Sequence, residues 1–175
     1  MTDEPTTSPR DEPPPPPSPG AAPITVVTQY VKDLSFENPN APAVLANATE
    51  APHGNVQVDV QVRPLGASNY EVSLTLRAET NQSGQLAYLV ELVYAGLFVI
   101  GDVPPERTEP LVMIEAPRFL FPFARAIVMA LTRDGGYSPL LINPIDFAVL
   151  YRDHRQRIAQ QAAAPAVVKP ATAGS

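Results

Sequence analysis

The sequence predicts an α+β fold, one four-stranded antiparallel sheet followed by two helices. Three observations carry that reading: clean alternation of apolar and polar residues, short turns between successive strand-like segments, and a capped helical end. Residues 56–62, Val56-Gln57-Val58-Asp59-Val60-Gln61-Val62, put four valines on one face and polar groups on the other. Residues 70–76 repeat the pattern, with residues 64–69 as the turn between them. Residues 86–98 form a further strand, more apolar on both faces, after a turn at 81–84. Such short connections make consecutive strands antiparallel neighbours. An earlier strand-like segment, 24–36, is followed by an irregular link, 38–55, that holds Pro39, Pro42 and Pro52. A link of that length lets the first strand cross over and pair elsewhere in the sheet.

The helical end begins after a loop at 102–109 marked by Pro104-Pro105. Past Pro117, residues 119–133 scan as a helix with almost no solvent face: Phe119, Leu120, Phe123, Ala124, Ile127, Val128, Ala130 and Leu131 point nearly all round. Arg118, Arg125 and Thr132 leave a narrow polar stripe. Gly135-Gly136 suit a left-handed cap that stops this helix. A second helix is expected with Asn143 at the N-cap, Pro144 in the first turn and Asp146 at N3, its apolar stripe being Phe147, Leu150, Tyr151 and Ile158. A helix apolar on every side needs more cover than a domain this small supplies, so oligomerisation is expected. Phe119, Phe123, Ile127 and Ala130 are the candidate subunit contacts.

Composition bounds the rest. At 175 residues the chain fits one domain, 24–161, with tails at 1–23 and 162–175. Nine of its 22 prolines lie in residues 1–23, which have almost no large apolar side chains and cannot build a core. That arm reads as a disordered, acidic, polyproline-II-like spacer, with an SH3-type ligand as the alternative. The Ala/Pro-rich end, 162–175, lacks periodicity and is expected to be flexible. With no cysteine, disulfides and thiolate metal sites are excluded. Acids and prolines stand where a signal peptide has a basic and an apolar region, and no apolar run approaches the ~20 residues of a membrane helix, so a cytoplasmic protein is expected. The net charge of −6 argues against nonspecific phosphate binding and for a partner with a positive surface.

Catalytic chemistry finds no foothold. His53 and His154 lack the partner spacing of a metal site or nucleophile elbow. Asp134-Gly135-Gly136 follows a helix instead of starting one and has no P-loop lysine. No enzyme activity, metal or cofactor is expected. Two surfaces stand out instead. On the first strand Asp33, Ser35 and Glu37 share a face; on the fourth, Leu89 and Glu91 do, an apolar residue among acids as a contact patch has. Val56, Val58 and Val60, with Leu150 and Tyr151 on the last helix, are candidates for exposed apolar area.

Several separated segments, in order, resemble the SecB protein-export chaperones: KDLSFENPNAP at 32–42, YAGLF at 94–98, LFPFAR at 120–125, RDGGY-x-PLL at 133–141 and PIDF-x-x-LY at 144–151. The resemblance covers roughly residues 24–160. It implies a SecB-like fold assembled as a dimer of dimers, a homotetramer, through the helix at 119–133. It implies an ATP-independent holdase that binds unfolded precursor proteins and delivers them to the translocase ATPase SecA. The positions matching the family's SecA contacts are Asp33, Glu37, Leu89 and Glu91. In the family the crossover link, the next strand and the last helix line the client grooves; here that adds Val44 and Leu45, the large apolar groups of the link, to Val56, Val58, Val60, Leu150 and Tyr151. The alternatives are a SecB-like chaperone dedicated to one client, such as an antitoxin, and a carrier of small apolar ligands.

Overall fold

A computed structural model describes residues 22–47 and 50–163. The two expected tails lie outside the described residues except for Ala22, Pro23, Ala162 and Ala163, the last two of which continue the final helix. Four strands, β1 (Ile24–Glu37), β2 (His53–Pro64), β3 (Asn69–Gln82) and β4 (Gln85–Ile100), form one antiparallel sheet in the order β1-β4-β3-β2. This is the expected meander with the first strand crossing to its far edge. The strands run longer than alternation alone indicated. The β3–β4 turn, for example, tightens to Ser83-Gly84, both with positive φ (50° and 75°), as a two-residue type I′ hairpin needs. The crossover, expected to be irregular, contains one helical turn, α1 (Ala43–Ala46).

The helical end departs from the sequence reading in three places. The expected loop at 102–109 is instead largely helix: α2 (Pro105–Pro110), a π-helical turn (Leu111–Glu115) and α3 (Ala116–Asp134) run on without a break. Prolines that read as stops are absorbed. Pro105 sits in a first turn, where no N–H is missed, and the wide π turn lies directly ahead of Pro117, whose ring crowds the preceding turn of a regular helix. Thr132 is not part of an exposed stripe but fully buried. Its Oγ1 lies 3.1 Å from the Val128 and Met129 carbonyls and accepts the Leu140 N–H at 3.0 Å, which ties the returning loop to the helix. Last, α4 (Phe147–Ala163) begins later than expected. Asp146, not Asn143, caps it, its Oδ1 accepting from the Ala148 and Val149 N–H groups at 2.9 and 3.2 Å. The buried Ile142 and half-buried Ile145 hold the intervening segment extended against the core.

The glycine stop of α3 does form. Gly136 is left-handed (φ 94°), with Tyr137 N–H bonded to the Thr132 carbonyl and Gly136 N–H to that of Arg133. This turn meets the end of β1. The Tyr137 hydroxyl donates to Asn38 Oδ1 at 2.8 Å and lies 2.9 Å from the Ala87 carbonyl, and Asn38 Nδ2 donates to the Gly135 carbonyl. Phe36 stacks on Tyr88, and Tyr88 meets the tilted ring of Tyr137 over it. The segments SFENPN and RDGGY, about a hundred residues apart in sequence, are therefore two halves of one junction.

The core lies between the sheet's helix-side face and α3. Val72, Leu74, Leu76, Val90, Leu92 and Phe98 meet Ala116, Leu120, Ala124 and Val128. Gly96 sets the approach: a Cβ there would lie 3.0 Å from Leu120 Cδ2 and 2.9 Å from Phe98 Cε2. The opposite, outer face carries one buried acid, Glu71, 4 % exposed. Tyr30, reaching across Ala95 of β4, donates to its Oε1 at 2.5 Å, while Lys32 and Arg63 donate to Oε2 at 3.0 and 2.9 Å. The cluster links β1, β3 and β2 across β4. The Tyr30 hydrogen bond above all, then those of Lys32 and Arg63, draw the Glu71 carboxyl down to about 2 against the opposing pull of burial.

The folded value lies below the ordinary 4.5, so the stabilisation from Glu71 is complete above that pH and is lost as pH falls from 4.5 toward 2. Glu71→Gln is expected to lower the unfolding free energy by about 1–3 kcal/mol at neutral pH. In urea titrations the gap to the parent should narrow across that acid window. A gap independent of pH would contradict the assignment.

Candidate functional site

Three surfaces are built on this frame. The first is a trench along the helix-side face of β2, where α3 does not reach. Its start runs from Pro52 to Val56 beside Leu140 and Leu141, over Thr80 and Tyr88, and encloses about 280 Å³. The middle is a narrow cleft of about 70 Å³ between Val58 and Val60 on β2 and Met113, Leu150, Tyr151 and His154 on the helices. The far end widens to about 440 Å³ beside Val62, Tyr70, Val112 and Ile158. Met113 and His154 line both the middle and the far end, so α4 lies over a single discontinuous groove. Arg155 holds α4 to α2 through Glu109 at 2.9 Å and rests over its own Tyr151 ring.

The trench gathers five of the seven client-groove candidates, Val56, Val58, Val60, Leu150 and Tyr151. Val44 and Leu45 lie elsewhere. Val44 is 4 % exposed, a core residue, and Leu45 is half-buried against Gly136. Sequence reasoning missed Met113, because the π turn that presents it was read as lying before the helix. It also left out Val62, the last of the four valines, and Leu141, the most exposed large apolar residue described.

The second surface is the outer face near the end of β1. Strand register arranges it in rows: Glu37, Leu89, Glu79 and Asn55; then Ser35, Glu91, Arg77 and Gln57; then Asp33, Val93, Thr75 and Asp59. Asp33, Glu37, Leu89 and Glu91, from two strands far apart in sequence, thus come together on adjacent strands. Glu79 and Arg77 join them. They escaped notice because alternation was followed only to Leu76; extending it three residues puts both on the outer face.

The third surface flanks α3 on the β1 side. Phe119 and Phe123 are 45 % and 54 % exposed, and Ile127 and Ala130 are half-buried. The Phe123 ring stacks on Tyr94 at 6.3 Å, and Tyr94 pairs with Val31 of β1. Val31 and Leu34, on the helix-side face of this edge strand, are themselves exposed. A run of large apolar side chains therefore extends from α3 onto β1 with nothing above it among the described residues. Among the described residues, no group of three His, Asp or Glu is placed to hold a metal, and no helix is long and apolar enough to cross a membrane.

Comparison with known proteins agrees with this architecture. A solved Mycobacterium tuberculosis SecB-like chaperone, in complex with a peptide from an antitoxin, superposes with a TM-score of 0.59 over 70 % of this chain and 90 % of its own, at 16 % identity, a likeness of fold. Protein-export protein SecB of Rhodopseudomonas palustris (strain BisB18) is 48 % identical over 84 % of this chain and 90 % of its own length. That of Parvibaculum lavamentivorans is 51 % identical over 83 % and 87 %. Residues 18–158 match the family described as preprotein translocase subunit SecB, and the chain belongs to the SecB family.

Proposed function

We propose that this protein is an ATP-independent export chaperone that holds unfolded precursor polypeptides in the β2–α4 trench and passes them to SecA. The observation that carries this is the trench itself: an interrupted groove along an edge strand, walled by the β2 valines, Met113 and Leu150 and edged by polar groups such as Asp59 and Arg157, on a chain of the SecB family. Edge-strand backbone and adaptable groups such as Met113 and Leu150 accept many sequences without a fixed shape. The M. tuberculosis SecB-like chaperone carries a peptide on the same fold, which supports a polypeptide as occupant. A closed pocket, as a small-ligand carrier needs, is not what lines β2. A dedicated antitoxin chaperone is the less favoured reading, because the curated relatives are protein-export proteins and the acidic face is complete.

The acidic face is assigned to SecA. Asp33, Glu37 and Glu91 around Leu89 make an acid rim with an apolar centre, which steers and orients a basic partner more than it tightens the final complex. The α3–β1 surface is assigned to assembly, giving a dimer of dimers. Joining subunits there would leave the trenches open, so one long client could engage several, with many weak contacts at high effective concentration. The working compartment is the cytoplasm, where precursors are made.

Three outcomes test these assignments. Val58→Asp should cut capture of an unfolded precursor about tenfold in a competition assay, because it puts an unpaired carboxylate on the trench wall. Unchanged capture would move the client site elsewhere. Glu91→Lys should weaken SecA binding about five- to tenfold at low salt, with the loss shrinking as salt rises; equal affinity at low salt would remove the patch from the interface. Phe123→Asp should break the tetramer in light scattering while the far-UV circular dichroism spectrum keeps the parent's secondary structure. Phe123 suits this better than Ile127, which is half-buried beneath its own subunit. A surviving tetramer would place assembly on another face.

A further inference from the structure

The acidic face contains its own cation. Arg77 stands directly across from Glu91 in the sheet, and its Nη1 donates to Glu91 Oε2 at 3.4 Å, with the two side chains 45 % and 39 % exposed. The pair is long and open to water, so it is weak and breaks readily. Glu79, two residues along β3 and on the same face, offers the guanidinium a second carboxylate. Both residues border a shallow polar hollow of about 440 Å³ lined also by His53, Asn55, Gln57 and Asn81. Arg77 therefore has somewhere to go if Glu91 is claimed by another group. Around it Asp33, Glu37 and Asp59 complete a ring of acids.

We propose that Arg77 is a displaceable internal counterion of Glu91 that sets how cationic a partner must be to dock on the outer face. A lysine or arginine of the partner takes the place of Arg77 on Glu91, and Arg77 turns toward Glu79 and the hollow. The exchange conserves charge pairing on the chaperone side, so it selects against weakly basic surfaces, which gain too little from a Glu91 that is already neutralised. Arg77 acts through Glu91 and is a positioning residue. The inference rests on the assignment of this face to SecA.

The test is a double-mutant cycle with the full chain and purified SecA, using Arg77→Gln, Glu91→Gln and both together, across a salt series. Arg77→Gln is expected to tighten binding about threefold at low salt and to steepen its salt dependence. The gain should vanish in the Glu91→Gln background, and Arg77→Lys, which keeps the pair, should stay near the parent. A fold defect would not imitate tighter, salt-sensitive binding. If Glu91→Gln weakens binding but Arg77→Gln leaves it unchanged or weakens it, the counterion role is overturned and the docking face stands. If Glu91→Gln itself has no effect, the docking face fails, and the counterion role with it.

Discussion

One long helix cannot cover a four-stranded sheet whose strands run 12 to 16 residues, and most of this molecule's surface chemistry follows from that shortage. The helix α3 lies across β3 and β4, pressed close by Gly96 and Leu120. The sheet continues past it on both sides. On the β1 flank, Val31 and Leu34 stay open beside Phe119 and Phe123. On the β2 flank, the valines are met by the loop at 138–141, the π turn and α4, whose own burial is slight apart from Phe147. Apolar surface of this extent needs cover from another molecule. The two flanks differ in what they offer. The β1 side is a broad, aromatic, continuous surface of the kind one fixed partner fills. The β2 side is an interrupted trench under a helix held at its rim by Arg155 and Glu109, better suited to an occupant that changes.

The outer face solves the same shortage by other means. Among the described residues no helix covers it, and its side chains are mostly polar or charged, with a few apolar ones such as Leu89 and Val93 among them. Glu71 is the exception, a buried carboxylate made tolerable by three donors from two strands, Tyr30 and Lys32 on β1 and Arg63 on β2. That cluster stiffens one end of the face. The other end keeps its acids exposed and, with Arg77 among them, adjustable. A rigid sheet that displays loosely paired charges is a sound platform for electrostatic docking, since the backbone need not move for the ion pairs to exchange.

Much of the fold was legible because the sheet obeys alternation: the four valines of β2 and the meander follow from period and turn chemistry. Strand spacing picked out Asp33 and Glu37 on one strand and Leu89 and Glu91 on another, the family resemblance joined them as one contact set, and register explains why they are neighbours. What alternation could not convey was the effect of distant contacts on local rules. Pro104-Pro105 read as a loop and Pro117 as the residue after which the helix starts, yet helix runs unbroken from Pro105 to Asp134 through a π turn. Thr132 read as surface because its hydroxyl is polar, yet it caps its own helix turn and the returning loop from inside the core. Asp146 displaced Asn143 as the cap because Ile142 and Ile145 are drawn into the core first. Val44 was grouped with the trench for its place in the crossover, while packing takes it inward. Glu79 and Arg77 needed only a few more residues of the same alternation.

The division of labour between the two flanks is the central claim, and hydrogen exchange on the full chain, alone and with an unfolded secretory precursor, tests it most directly. The account predicts new protection in β2, His53–Pro64, and in the neighbouring part of α4 when the precursor is added. It predicts that β1 and the exposed side of α3 are protected already in the protein alone and do not change. Protection that appears on β1 and α3 instead, with β2 left unaltered, would contradict it.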